Sequence, residues 1–222
     1  MANINGSDVP PDIASWSRIW VMWSTYPDVM GSTEASPVVP SIAQLVPGGG
    51  SLCLPMSYED YAGLGETHHD EYYDGARWVN PPNRRHAQVA ARLTRLLQDA
   101  APPGHEVLSE WGWQIAPRTV CEPDVMVFPS DAPGADLLRA APLLVVEVTS
   151  RSTQSEDWGR KRELYAQGGA GWYWIVDPDA RQVTMMRNEG ARFTIVRELT
   201  GDVVHDLDRP IGLAVDLGAL FG

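Results

Sequence analysis

Lysine is nearly absent: the chain holds 17 basic residues, sixteen of them arginine, and only Lys161 is a lysine. An ammonium is a compact charge whose pKa can be lowered enough to handle a proton, which a guanidinium cannot do. Lys161 is therefore a candidate for chemistry, with chance survival in an arginine-biased chain as the bland alternative. Cysteine is scarce too. Cys53 and Cys121 match no zinc spacing and both sit in apolar surroundings, which points to buried free thiols in a reducing cytoplasm rather than to a disulfide scaffold. No apolar run approaches the roughly 18 residues of a membrane span. A secretory signal is missing as well, since Asp8 and Asp12 precede the first basic residue, Arg18. A soluble cytoplasmic protein with no membrane partner is expected. A surplus of positive charge is also lacking. The net charge of -12 argues against general coating of nucleic acid. It leaves open a site where carboxylates hold metal ions and the ions face a phosphate.

What is present suits one sizeable core. Residues 1–55 are rich in Pro, Gly and Ser without sustained periodicity and read as a flexible extension. Trp16, Ile19, Trp20 and Trp23 fall at helical spacing within it, and starts at Met22, Met30 or Met56 are the alternative to a translated extension. Residues 56–222 then form a single domain.

Ser57 and Asp60 resemble a capping box for a helix through Leu64. Glu71 to Val79 reads as two short strands about Asp74-Gly75. His68-His69-Asp70-Glu71 suggests a metal cluster, yet strand neighbours point to opposite faces, so at most Glu71 or His69 serves one site. A helix is predicted from Arg84 to Ala100, with His86 at its start as a capping or packing residue. Strands follow at Trp111–Ile115, Glu122–Phe128 and Leu143–Val148. Then come a helix over Ser155–Gln167, a strand over Trp172–Asp177, and a hairpin of 182–187 with 192–199. The acidic remainder shows no regular pattern. The class is α/β in its α+β, mixed-sheet form, with an αβββαβ core and an extra C-terminal hairpin.

Glu147 is the anomaly. It interrupts an otherwise apolar strand, where a carboxylate is costly unless a cation or donors meet it. Asp124 stands where the preceding strand enters the sheet. If those strands are neighbours, both carboxylates face one cleft, as a hard cation such as Mg²⁺ requires. Lys161 shares its helix face with Trp158, Leu164 and Tyr165, one turn after Asp157. Asp157 and Lys161 form either an ordinary ion pair or the anchor of a catalytic ammonium that orients or deprotonates water.

Glu71-x-x-Asp74-Gly75, Pro81 to His86, Pro123-Asp124, Val146-Glu147-Val148-x-Ser150-x-Ser152-Thr153, Asp157-x-Gly159-x-Lys161 with Tyr165, and Tyr173 to Pro178 resemble the Uma2 (DUF820) family. That family lies within the PD-(D/E)xK, restriction-endonuclease-like superfamily. The resemblance implies that Asp124 and Glu147 are catalytic metal ligands, with the Val148 carbonyl as a third. It also implies that Lys161 is the catalytic lysine displaced to the following helix, because Thr149 occupies its usual place. Glu71 would be an acidic residue contributed from early in the domain, with Asp157, Tyr165 and His86 supporting. Arg151 replaces a usual proline and Trp172 a frequent Glu. The implied activity is Mg²⁺- or Mn²⁺-dependent endonucleolytic hydrolysis of nucleic acid, DNA before RNA, with a homodimer possible by analogy. The competing expectation is a non-catalytic module that uses the same fold to bind protein or nucleic acid. The acidic balance and Trp-rich strands favour it, since Trp113, Trp172 or Trp174 could stack a ligand, although core packing is the commoner role.

Overall fold

The computed structural model describes residues 51–64, 70–80, 83–134 and 136–222. The tryptophan stripe of the expected extension, and His68 and His69, lie outside them. Strand pairing begins at β1 (Leu52–Pro55), four residues ahead of the expected boundary at Met56. The Ser57 hydroxyl caps α1 (Tyr58–Ala62) by accepting from the Asp60 N–H at 3.0 Å, and the helix stops at Gly63, short of Leu64. β2 (Glu71–Tyr73) and β3 (Ala76–Val79) join through Asp74 and Gly75, at φ 53° and 75°. Two successive positive φ values give a turn whose twist suits a tight hairpin. β5 (Trp113–Ala116) and β6 (Thr119–Cys121) complete an antiparallel sheet ordered β1-β3-β2-β6-β5.

A second sheet carries the αβββαβ core. Its elements are α2 (Arg84–Ala100), β4 (His105–Ser109), β7 (Val125–Pro129), β8 (Leu144–Val148), the helices α3 (Gln154–Trp158) and α4 (Arg160–Gln167), and β9 (Trp172–Asp177). The hairpin β10 (Gln182–Asn188) and β11 (Phe193–Leu199) extends it to the order β11-β10-β9-β8-β7-β4. Within this sheet β8 and β9 pair in parallel and the other neighbours antiparallel, and α3–α4 make the crossover a parallel pair requires.

Three expectations are corrected. The first core strand is β4, whereas the Trp111–Ile115 stretch gives β5 in the other sheet. β4 is an edge strand burying only Val107, so its sequence alternates weakly. The helix over 155–167 breaks at Gly159 (φ -102°, ψ -101°), where a Cβ would lie 2.7 Å from the Ser155 carbonyl oxygen. The closing segment is regular: β12 (Val204–Leu207), β13 (Leu213–Asp216) and α5 (Leu217–Phe221), capped by Asp216. It buries Leu207, Val215, Leu217, Leu220 and Phe221, a pattern its aspartates obscure.

Strand alternation divides the core. Leu144, Val146 and Val148 pack with Val89, Leu93 and Leu97 of α2 on one face of the large sheet. Val145, Tyr173 and Ile175 pack on the other with Leu164, Tyr165, Trp113 and Tyr73. By period two, Glu147 belongs to the second face, between the sheets. Trp113 and Trp174 are fully buried and Trp172 packs partly buried against the core, so all three fill structure; Cys121 is buried, but Cys53 is only partly so.

Candidate active site

β7 and β8 pair Val125 with Val146 and Met126 with Val145, so continuing the register by one residue sets Asp124 opposite Glu147. The two strands are neighbours, as the cleft requires. Asp124 Oδ2 accepts from the Val148 N–H at 2.6 Å and meets His86 Nε2 at 2.9 Å. His86 is delivered by the first turn of α2, which Asn83 caps through the N–H groups of Arg85 and His86.

Lys161 fills the space before Glu147. Its Nζ stands 3.0 Å from Glu71 Oε1, 3.1 Å from Glu147 Oε1 and 3.9 Å from Asp157 Oδ1, and all four side chains are at most 4% exposed. Glu71 arrives from β2 of the other sheet and also accepts from the Glu122 N–H at 3.0 Å. The Tyr165 hydroxyl donates to Glu147 Oε1 at 2.5 Å, with its ring stacked on Trp113. Breaking the helix at Gly159 lets Asp157 from α3 and Lys161 from α4 face the same pocket.

These groups line a cavity of about 420 Å³, which takes in Glu71, His86, Asp124, Glu147, Asp157 and Lys161. Burial pushes the Glu147 carboxyl well above its ordinary range; Lys161 opposes this, and neighbouring carboxylates reinforce it. Burial likewise raises Glu71 against Lys161 and the Glu122 N–H. Asp157 is raised to about 6, by burial first. Burial pulls Lys161 down, but Glu147, Glu71 and Asp157 outweigh it and hold the ammonium protonated. Asp124 runs the other way. Burial is overcome by the His86 hydrogen bond and charge, by Lys161 and by the Val148 N–H, so its pKa is lowered, while that of His86 is raised against its own burial.

The donors suit a hard cation. Glu71 Oε2 is buried without a hydrogen-bond partner, and the Asp157 carboxylate is buried with only the Thr153 and Thr149 side chains and Lys161 to offset its charge. Three carboxylates share one ammonium, which leaves excess negative charge that a cation would relieve. Among the described residues no three His, Cys, Asp or Glu side chains are drawn together closely enough to hold an ion unaided. A cation here would instead draw on one or two carboxylates, water and a substrate phosphate, the habit of Mg²⁺.

All eight residues singled out in the sequence come together: seven line the cavity, among them Val148, whose N–H holds Asp124, and Tyr165 bonds Glu147. Asn80, Glu110 and Glu122 also line it and were not anticipated. Asn80 and Glu110 sit outside the periodic segments, Glu122 opens a predicted strand that begins only at Val125, and Glu110 carries a φ of 51°.

A family model described as "Uma2: Putative restriction endonuclease" matches residues 56–218. Among solved structures, the chain resembles the crystal structure of "a putative nuclease belonging to DUF820" from Anabaena variabilis ATCC 29413. The match has a TM-score of 0.60 at 18% identity and covers 75% of this chain and 98% of that one. No curated protein matches the chain.

Proposed function

The chain belongs to the Uma2 family, and from that premise we propose that it is a divalent-metal-dependent endonuclease hydrolysing phosphodiester bonds of nucleic acid, DNA in preference to RNA. One observation carries this reading: the chain's single lysine lies between Glu71 and Glu147 in a cleft that Asp124 enters from the paired strand. The family's description as a restriction endonuclease favours DNA. Two unbridged cysteines agree with a cytoplasmic setting.

Asp124 and Glu147, with the Val148 carbonyl, would hold the Mg²⁺ or Mn²⁺. When bound, such an ion polarises a phosphoryl oxygen and acidifies water. The His86 contact and the Val148 N–H both engage Asp124 Oδ2, fixing the carboxylate while Oδ1 keeps its lone pairs for a ligand. Tyr165 and Lys161 both engage Glu147 Oε1, leaving Oε2 for the same purpose. A Lys161 held protonated is suited to orient a water and to stabilise charge developing on the phosphoryl oxygens, more than to abstract a proton. Asp157 and Glu71 keep the ammonium in place. A homodimer would set one such cleft against each strand of a duplex, and sedimentation velocity measures that assembly.

The test is a panel of single- and double-stranded DNA and RNA incubated with Mg²⁺, Mn²⁺ or chelator. Cleavage with metal and none with chelator is expected, and absence of cleavage across the panel refutes the proposal. A second reading, a non-catalytic binding module, is favoured by the completeness of the Lys161 network, which resembles a structural ion cluster. That reading expects partner binding without metal and no cleavage.

A further inference from the structure

Three arginines stand in sequence beside residues that line the carboxylate cleft. Arg84 and Arg85 open α2 between Asn83 and His86, and Arg151 lies between Ser150 and Thr153; those four flanking residues line the cavity. Arg85 Nη1 donates to Asp179 Oδ1 at 2.9 Å and its Nη2 to the Pro178 carbonyl at 2.5 Å. Arg151 Nε stands 3.7 Å from Asp179 Oδ2. One carboxylate on the β9–β10 turn thus gathers guanidiniums from two separate elements beside the cleft.

Their place beside the cleft distinguishes them, and they are open to solvent. The Arg151 side chain is 95% exposed and that of Asp179 60%, while Arg84 is exposed and makes no hydrogen bond or ion pair to a described residue. Some other arginines are committed to structure, such as Arg160, which holds Asp74 through two nitrogens, and Arg95, Arg192 and Arg209, unpaired among the described residues, do not flank residues that line the cleft. A single 3.7 Å contact at a fully hydrated guanidinium contributes little to stability. In a protein of net charge -12, arginines gathered at this one mouth call for a different occupant.

Resting on the nuclease reading above, we infer that Arg85 and Arg151, with Arg84 beside them, form a clamp for a backbone phosphate of the nucleic-acid substrate, and that Asp179 is the internal competitor occupying it when empty. The planar guanidinium fork matches two phosphate oxygens as it matches two carboxylate oxygens. A phosphate bound there lies next to Asn83, His86, Ser150 and Thr153, so the strand is led across the cleft that holds Asp124 and Glu147. Displacing Asp179 costs little, because its pairs are exposed and screened.

The test uses the full chain in chelator, so that nothing is cut, with a short fluorescently labelled DNA oligonucleotide followed by anisotropy over a range of salt. Arg85→Ala and Arg151→Ala should each weaken binding about threefold to tenfold at low salt and flatten the log Kd against log salt slope by about 0.7 to 0.9. Asp179→Asn should tighten binding about threefold, a gain that damaged folding cannot mimic, by freeing both guanidiniums. That gain should vanish in the Arg85→Ala, Arg151→Ala background. The clamp is overturned if the wild type does not bind, if neither arginine matters, or if Asp179→Asn weakens binding. Arginine-dependent binding by a chain that cleaves nothing in the metal panel would keep the clamp and remove the nuclease reading.

Discussion

Asp157→Asn measures the electrostatic strain of the cleft directly. The Asp157 side chain is 1% exposed, the Thr153 and Thr149 side chains offset its burial only in part, and the ammonium of Lys161 stands 3.9 Å away. Burial outweighs that attraction and lifts the carboxyl from 3.8 to about 6. A raised acid binds its proton more tightly in the folded than in the unfolded chain. Stability from this group therefore falls as pH rises from about 4 to about 6, and the full cost remains above that window. At roughly 1.36 kcal/mol per pH unit, the distance from 3.8 to about 6 corresponds to about 3 kcal/mol. Between pH 4.5 and pH 7.5 the wild type should lose about 2 kcal/mol through Asp157, a loss the asparagine variant escapes. Urea denaturation in chelator at both pH values measures it, provided the m-value is unchanged so that the midpoint reports stability. Glu71 and Glu147 are raised in the same direction and remain in both proteins, and because Asp157 helps to raise Glu147, the difference between wild type and variant reports Asp157 together with its coupling to Glu147. Equal pH dependence in the two proteins would refute the reasoning.

Lys161→Met should destabilise the fold by roughly 3–5 kcal/mol at pH 8, because it strands three buried carboxylates without their ammonium. The loss should shrink at pH 5, where those carboxylates take up protons; urea midpoints at the two values check this. The His86 ring should titrate above 6.5 and move down in Asp124→Asn, because the Asp124 hydrogen bond and charge oppose its burial. Ring-proton NMR across pH reads that midpoint.

The elements nearest the site were the most legible in the sequence. Asp74-Gly75, the stripe of α2, the apolar β8 and the β9 strand carry strong local signals, and the structure places all four where those signals put them. A lone glutamate in a buried strand demanded a cation, and the counter-charge is Lys161 with a Tyr165 hydroxyl. Sheet membership was not legible. Trp113 alternates like a core strand residue, but which sheet its strand joins depends on its hairpin partner β6 pairing with the distant β2, Val120 opposite Tyr72. The contribution of Glu71 across the two sheets needed the family resemblance, since no periodicity links residues separated by 76 or 90 positions. Glu110 was hidden because loop residues carry no period, and Glu122 because the strand predicted from it begins only at Val125. The hairpin and helix that close the chain were masked by acidic residues on their exposed sides.

The central claim is that Asp124 and Glu147 form a metal-dependent phosphodiesterase centre. Its most direct test is the initial rate of cleavage of the best substrate in saturating Mn²⁺, for the wild type and Asp124→Asn, each confirmed folded by its urea midpoint. Removing a charged ligand while keeping shape should lower the rate by about a hundredfold or more, the scale lost with preorganised electrostatic stabilisation. An Asp124→Asn protein that cleaves at the wild-type rate would contradict the account.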